Sequence, residues 1–150
     1  MDFPAWKPTP RPKPELLEEA LGVPVRATLS SRDLLAILED EELVRRLEPD
    51  MALLSSIPEH QAVIVSAAGG TVDFVSRFFA PALGIPEDPV TGSAHCTLVP
   101  YWAEALGKDE LHARQLSPRG GELFCRSAGE RVVIGGRAVL YLEGSIEVPG

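Results

Sequence analysis

The sequence predicts an α+β fold, with mostly antiparallel or mixed strands forming a sheet wrapped around one central buried helix. Two observations lead there. Short strand-like runs recur along the chain, parted by glycine-containing turns. One long segment, beginning near Ser93, has helical length but is apolar on nearly every side, through Ala94, Cys96, Leu98, Val99, Tyr101, Trp102, Ala103, Ala105 and Leu106. Most helices of small domains are amphipathic, so a helix apolar all round belongs inside a layer that surrounds it.

Taken in order, "DFPA" (Asp2 to Ala5) reads as a short strand. The proline-rich connector "KPTPRPKP" follows; it is extended and offers no continuous ladder, because proline has no amide proton. Glu15 to Leu21 reads as a short helix with Leu16, Leu17, Ala20 and Leu21 on one side, closed by Gly22 and Pro24. "VRATLS" alternates like a half-buried strand, and "DLLAILED" fits either strand or helix. "DEELVRRLEPDMALLSSI" starts with acids and spaces Leu43, Leu47, Met51 and Leu54 helically, with a break near Pro49.

"QAVIVSA" is a buried strand, and "GGTVDFVSRFFAP" a second one after a two-glycine turn. In the latter, Val72, Phe74, Ser76 and Phe78 share one face, and Asp73, Val75, Arg77 and Phe79 the other. The apolar helix comes next, with Pro100 in its interior, where proline ordinarily costs about 3 kcal/mol. "ELHARQLS", "GELFCRS", "RVVIGG" and "AVLYLEGSIEV" then form four strand-like runs parted by "PRGG", "AGE" and "GG".

The length of 150 residues suits one domain with one core, spanning residues 1–150. Acids outnumber bases 22 to 14, and no basic stripe is present. That disfavours nucleic acid and anionic membrane surfaces as partners. No apolar run reaches the roughly 20 residues of a membrane span, and the N-terminus carries no signal-peptide core. The two cysteines, Cys96 and Cys125, are far apart and form no CxxC pair, so a reduced, cytoplasmic protein is expected.

The stretch "EDPVTGSAH" (Glu87 to His95) carries the chemistry. The first backbone N–H groups of a helix have no partner within it, and the macrodipole leaves about half a positive charge there. Gly92 removes the Cβ that would block a ligand, Thr91 and Ser93 add hydroxyls, and Ala94 completes the first turn. A small carboxylate is the anion expected at such a pocket. Two helix starts fit the residues. Asp88 followed by Pro89 could be an N-cap with proline at the first position. A start nearer Thr91 or Ser93 would instead leave Asp88 free to project, and would put His95 in the first turn as a structural hydrogen-bonding residue or a base.

Other constellations are weaker. His60, His95, His112, Cys96 and Cys125 show no paired metal-ligand spacing. Ser93 has no G-x-S-x-G context, and Cys96 reads as core. "RGGE" (Arg119 to Glu122) is first a hairpin turn, whose Arg119 and Gly120 could face a ligand.

"EDPVTGSAHCTLVPYWAEALGK" resembles the signature of the phenazine-biosynthesis-like (PhzF) family, which shares its fold with diaminopimelate epimerase. "VDFVSRFFAPALGIPEDPVTGSAH" before it, and "LHARQLSPRGGELFCR" with "RVVIGGRAVLYLEGSI" after it, extend the likeness from about Asp2 to the C-terminus. The resemblance implies one half of a two-domain protein, each domain a sheet around a central helix, with the active site in the cleft between them. It implies an isomerase or epimerase that moves a proton at a carbon without metal or organic cofactor.

Carried over by motif, Asp88 matches the family's active-site aspartate, and Gly92 and Ser93 with the loop backbone match the substrate-contacting helix start. Where the epimerase relative has a cysteine acid/base, this loop has none before Cys96. The family's N-terminal domain, bearing a catalytic glutamate and a partnering histidine, has no counterpart here, so the chain is expected to be the C-terminal half. Glu87 could substitute for the missing base only by turning toward the pocket. A half-site is expected to be weakly active or inactive alone, to homodimerise or to pair with a separate N-terminal half.

Overall fold

The structure, a computed structural model, describes residues 1–58 and 62–147. Strand β1 is Asp2–Pro4 and β2 the two residues Thr9–Pro10. They are followed by α1 (Leu17–Leu21), β3 (Ala27–Ser30), β4 (Leu34–Ile37), α2 (Glu41–Arg46) and α3 (Met51–Ser56). The chain continues through β5 (Val63–Ala68), β6 (Phe74–Phe79), α4 (Gly92–Leu106), β7 (Glu110–Gln115), β8 (Gly121–Ala128) and β9 (Arg131–Gly135). Among the described residues the strands form one mixed sheet in the order β1-β9-β8-β7-β6-β5-β4-β3-β2. The β4·β5 and β6·β7 pairs are parallel, and the others antiparallel.

The sheet is buried on both faces around β4 to β6. On one side, Leu35, Ile64, Phe74, Phe78, Leu111, Leu123 and Ile134 close around Leu98, Val99 and Trp102 of α4. Residues from β3 through β9 thus contribute to a single cluster about one helix, which is the wrapped helix the sequence predicts. On the other side, Leu34, Val63, Val65, Val75 and Phe79 pack under Leu17, Leu21, Val44 and Leu54 of the three short helices. "DLLAILED" resolves as a strand because every residue of β4 is buried, one set on each face. The helical stretch after it splits at Pro49, with Asp40 and Asp50 each capping a separate short helix.

Trp102 fills the middle of the first core. Its ring stacks on Phe74 with centroids 5.8 Å apart, and its Nε1 donates to Ser66 Oγ at 2.9 Å. The indole N–H therefore does not go unpaired in an apolar layer. Pro100 is likewise accommodated. Proline cannot donate to the carbonyl four residues back, which is that of Cys96; instead the Trp6 backbone N–H donates to Cys96 O at 2.9 Å. The chain leading into the proline connector thus supplies the hydrogen bond that the helix interior lacks.

One expectation does not hold. "AVLYLEGSIEV" forms no strand over its described part, 138–147, where Val139, Leu140, Tyr141, Leu142 and Ile146 are all at least 79% exposed. The reason is topological. β9 pairs with β8 on one edge and with β1 on the other, through Asp2↔Val133 and Phe3↔Val132. The edge that a strand returning through Gly135 and Gly136 would need is taken. The connector is nearly as predicted, its ladder limited to Thr9↔Ser30 and Pro10↔Leu29.

The two situations separate in stability. Leu98→Ala is expected to lower the unfolding free energy by about 2–5 kcal/mol, since Leu98 is fully buried. Tyr141→Ser is expected to change it by less than about 0.5 kcal/mol. Urea denaturation of both variants checks the pair.

Candidate functional site

The first turn of α4 opens onto a cleft of 430 Å³ whose lining includes Val90, Gly92, Arg119, Gly120, Leu123 and Ile134. Thr91 is the N-cap, in an extended conformation (φ −108°, ψ 104°), so the later of the two helix starts is the one adopted. Its side chain does not cap the helix, and Asp88 is not the N-cap. The N–H groups of Gly92, Ser93 and Ala94 lie in the turn that has no acceptor within the helix. A Cβ added at Gly92 would meet nothing within 4 Å, so the backbone there faces open space. Arg119 is exposed on the same cleft and makes no hydrogen bond or ion pair within the described residues.

The loop before the helix is fastened from β7. Gln115, 1% exposed, accepts the Thr91 N–H at Oε1 (2.8 Å) and donates through Nε2 to Asp88 O (2.7 Å) and Thr91 Oγ1 (3.0 Å). The Thr91 hydroxyl in turn donates to Asp88 Oδ2 at 2.5 Å. Ser117 adds a second link, donating to Pro89 O at 2.7 Å and accepting the Gly120 N–H at 3.0 Å. The start of β8 presses against this loop, and a Cβ at Gly121 would lie 2.2 Å from Val90 Cγ2. Only a residue without a side chain lets the two segments meet.

The remaining sequence candidates lie in different surroundings. Asp88 is half-buried at the helix start, bonded to Thr91, and is not part of the cleft lining. Glu87 points elsewhere: its carboxylate pairs with Arg77 at 2.7 and 2.8 Å, and Arg77 also donates to Leu47 O at the end of α2. With side chains only 15% and 10% exposed, the pair ties the loop to the helical face of the sheet, away from the α4 core. Freeing Glu87 for a base role would strand a buried guanidinium, which is strongly unfavourable.

His95 is fully buried, with Nδ1 2.8 Å from Thr91 O and its ring 5.9 Å from that of Phe74. Burial pushes its pKa from 6.5 down to about 4, against a smaller upward pull from the bond to Thr91 O. It is therefore neutral near pH 7 and props the helix start from inside. Cys96 and Cys125 are buried thiols, and burial raises the pKa of Cys125 to about 12, with Cys96 adding to the shift. His112 stacks on Phe124 and bonds Glu122 at 2.8 Å on the outer face of the sheet, while His60 lies outside the described residues.

Taken chemically, the arrangement offers backbone donors and a guanidinium for an anion, beside a carboxylate whose orientation is held by a hydroxyl. Comparison with known proteins gives the arrangement a lineage. The profile described as "Phenazine biosynthesis-like protein" matches residues 14–144. The chain belongs to the phenazine biosynthesis-like (PhzC-PhzF) family.

An uncharacterized isomerase of Pseudomonas aeruginosa is 55% identical to this PhzC-PhzF member over 99% of the chain and 57% of its own length. A second uncharacterized isomerase of that organism is 47% identical, over 99% and 57%. A crystal structure of a PhzF-family protein from Enterococcus faecalis superimposes with a TM-score of 0.91 at 46% identity, covering 95% of this chain and 55% of its own. A putative PhzC/PhzF protein from Clostridium difficile gives 0.88 at 40%, covering 99% and 57%. The chain thus spans a little over half the length of these PhzC-PhzF relatives.

Gln115 and Ser117 are site-building residues of this PhzC-PhzF chain that sequence reasoning passed over. A signal existed for the first. In "ELHARQLS" the alternation puts Leu111, Ala113 and Gln115 on one face, so a glutamine occupies a core position where it must find partners.

Two outcomes follow from this geometry. Gly121→Ala is expected to destabilise the fold by about 1–3 kcal/mol through overpacking against Val90, and Val90→Ala in the same chain to recover most of the loss, read by thermal denaturation. The lowered His95 pKa makes the unfolded state bind a proton that the folded state refuses between pH 6.5 and about 4. Its contribution to stability is complete above pH 6.5 and is lost as pH falls through that window, with a slope of up to about 1.4 kcal/mol per pH unit. In His95→Gln, urea unfolding measured across the same window should show a shallower pH dependence.

Proposed function

We propose that this chain is one half of a cofactor-independent isomerase or epimerase that acts by proton transfer on a small carboxylic acid. The observation that carries the reading is an open helix start and a free arginine on one cleft, with a hydroxyl-held aspartate in the loop just behind that helix start. The first-turn N–H groups of Gly92, Ser93 and Ala94, with Thr91 at the cap, would receive the substrate carboxylate, and Arg119 with Gly120 would meet it from the opposite turn. Asp88 would orient or shuttle the proton. Kinship with proteins described as isomerases supports the reaction class.

Moving a proton between two positions of a carbon acid needs a base and usually an acid within reach of the substrate. Among the described residues the helix start offers Asp88, while Glu87 and His95 are committed to structure. The second group would come from a complementary half, and the chain alone would be weakly active or inactive. A related reading makes this chain a binding module that dimerises or docks such a half. It is favoured by the exposed apolar run at Val139 to Leu142, since patches of this kind usually become interfaces. Cytoplasmic action on a free metabolite suits both readings.

Solvent deuterium incorporation into cyclic and amino carboxylic acids tests the proposal. The isolated chain is expected to catalyse little exchange, the chain mixed with a family N-terminal half to catalyse it measurably, and Asp88→Asn to abolish that gain. Exchange undiminished by Asp88→Asn would refute the role of Asp88. Light scattering after size-exclusion chromatography is expected to show a dimer or a complex with the added half; a monomer indifferent to that half would remove the docking reading.

A further inference from the structure

We infer that Gln115 is the positioning residue of the helix-start site, holding the Asp88–Thr91 loop and the Arg119–Gly121 turn together as one rigid unit. The inference rests on reading the start of α4 as a binding site, and its experiment is arranged so that the two can fail separately.

The chemistry of the amide fits the task. The loop presents one donor, the Thr91 N–H, and two acceptors, Asp88 O and Thr91 Oγ1, all within 3.0 Å of one side-chain end. A glutamate would lack the donor and a lysine the acceptor; at this reach a glutamine supplies both. Thr91 N–H must meet Oε1 and Asp88 O must meet Nε2, so the partners themselves fix which way the amide faces. Burial in the α4 core makes the arrangement obligatory, because an unpaired amide there would be costly.

Two consequences reach the site. Gln115 Nε2 donates to the Thr91 oxygen, which leaves the Thr91 proton directed at Asp88 Oδ2. The rotamer of the one carboxylate at the helix start is thereby traced back to β7. Gln115 is also paired across the ladder with Gly121, the residue whose missing side chain lets β8 press on Val90. Ser117 closes the ring by joining Pro89 O to the Gly120 N–H. The side that carries Arg119 and the side that carries Gly92 therefore cannot shift independently.

Amide hydrogen exchange on the isotopically labelled 150-residue chain tests this without ligand. In Gln115→Met, the Thr91 amide is expected to exchange about 10- to 100-fold faster, while the core amides of β8 and β9 keep their wild-type rates. A residue that merely stabilised the fold would accelerate all of them together, and that result, or an unchanged Thr91 amide, would overturn the inference. Gln115→Glu keeps the acceptor for the Thr91 N–H but loses the donor to Asp88 O and Thr91 Oγ1, so its Thr91 amide is expected to exchange faster than wild type and slower than in Gln115→Met. If Gln115→Met does not fold, this variant carries the test, and an unchanged Thr91 amide or a uniform acceleration of the β8 and β9 amides in it would overturn the inference. Benzoate titration completes it. Wild-type shifts at Gly92, Ser93 and Ala94 should weaken about tenfold in affinity in Gln115→Met, and equal affinity in a folded variant would refute the positioning role. Absence of any benzoate shift in the wild type would sink the binding-site reading, with the exchange rates still deciding on Gln115.

Discussion

Everything about this structure depends on enclosing one apolar helix in a curled sheet. With Leu98 and Val99 fully buried and Trp102 stacked on Phe74, α4 cannot turn or slide without opening the main core. Its position is consequently as well determined as any in the molecule. A helix so placed has few routes for its unpaired ends, and the N-terminal one emerges at a cleft edged by the Arg119–Gly121 turn. A helix start that would be a minor surface detail on an amphipathic helix here lines a cleft.

The enclosure creates polar obligations that neighbouring segments meet. Pro100 leaves the Cys96 carbonyl without its helical donor, and the Trp6 N–H arrives from the connector. The indole of Trp102 requires an acceptor in the same core, and Ser66 provides it while donating onward to Val75 O at 2.7 Å. Ahead of the helix, Gln115 and Ser117 satisfy the polar groups of the Asp88–Thr91 loop. Buried polar networks of this kind are stabilising when complete and costly when partial. Here they tie the loop before α4 to β7 and to the turn that carries Arg119.

Much of the fold was legible because it follows local periodicity. The β5–β6 hairpin shows in the two glycines between apolar runs, and at Gly69 the reason is steric, since a Cβ would lie 2.5 Å from Val72 O. The wrapped helix shows in its all-round apolar composition. The site was legible in part: Thr91 to Ala94 and the Arg119 turn were singled out and lie around one cleft or its helix start. Glu87 was ambiguous because its partner, Arg77, is ten residues upstream on the far face of a strand, and nothing local says that the two meet. Alternation marked 138–147 as a strand, but strand-like residues need a free edge, and β1 holds the one beside β9.

Composition and spacing alone thus established an α+β fold with a buried helix, and singled out that helix's first turn and an aspartate near it. These are properties of short windows, governed by backbone sterics, side-chain period and the helix dipole. Which of two helix starts is used, which carboxylate is committed to an ion pair, which histidine is kept neutral and which glutamine fastens the loop were settled by contacts between distant segments. Each of those outcomes turns on whether a polar group finds its partner once water is excluded, and that partner is chosen by the folded sheet rather than by neighbours in the chain.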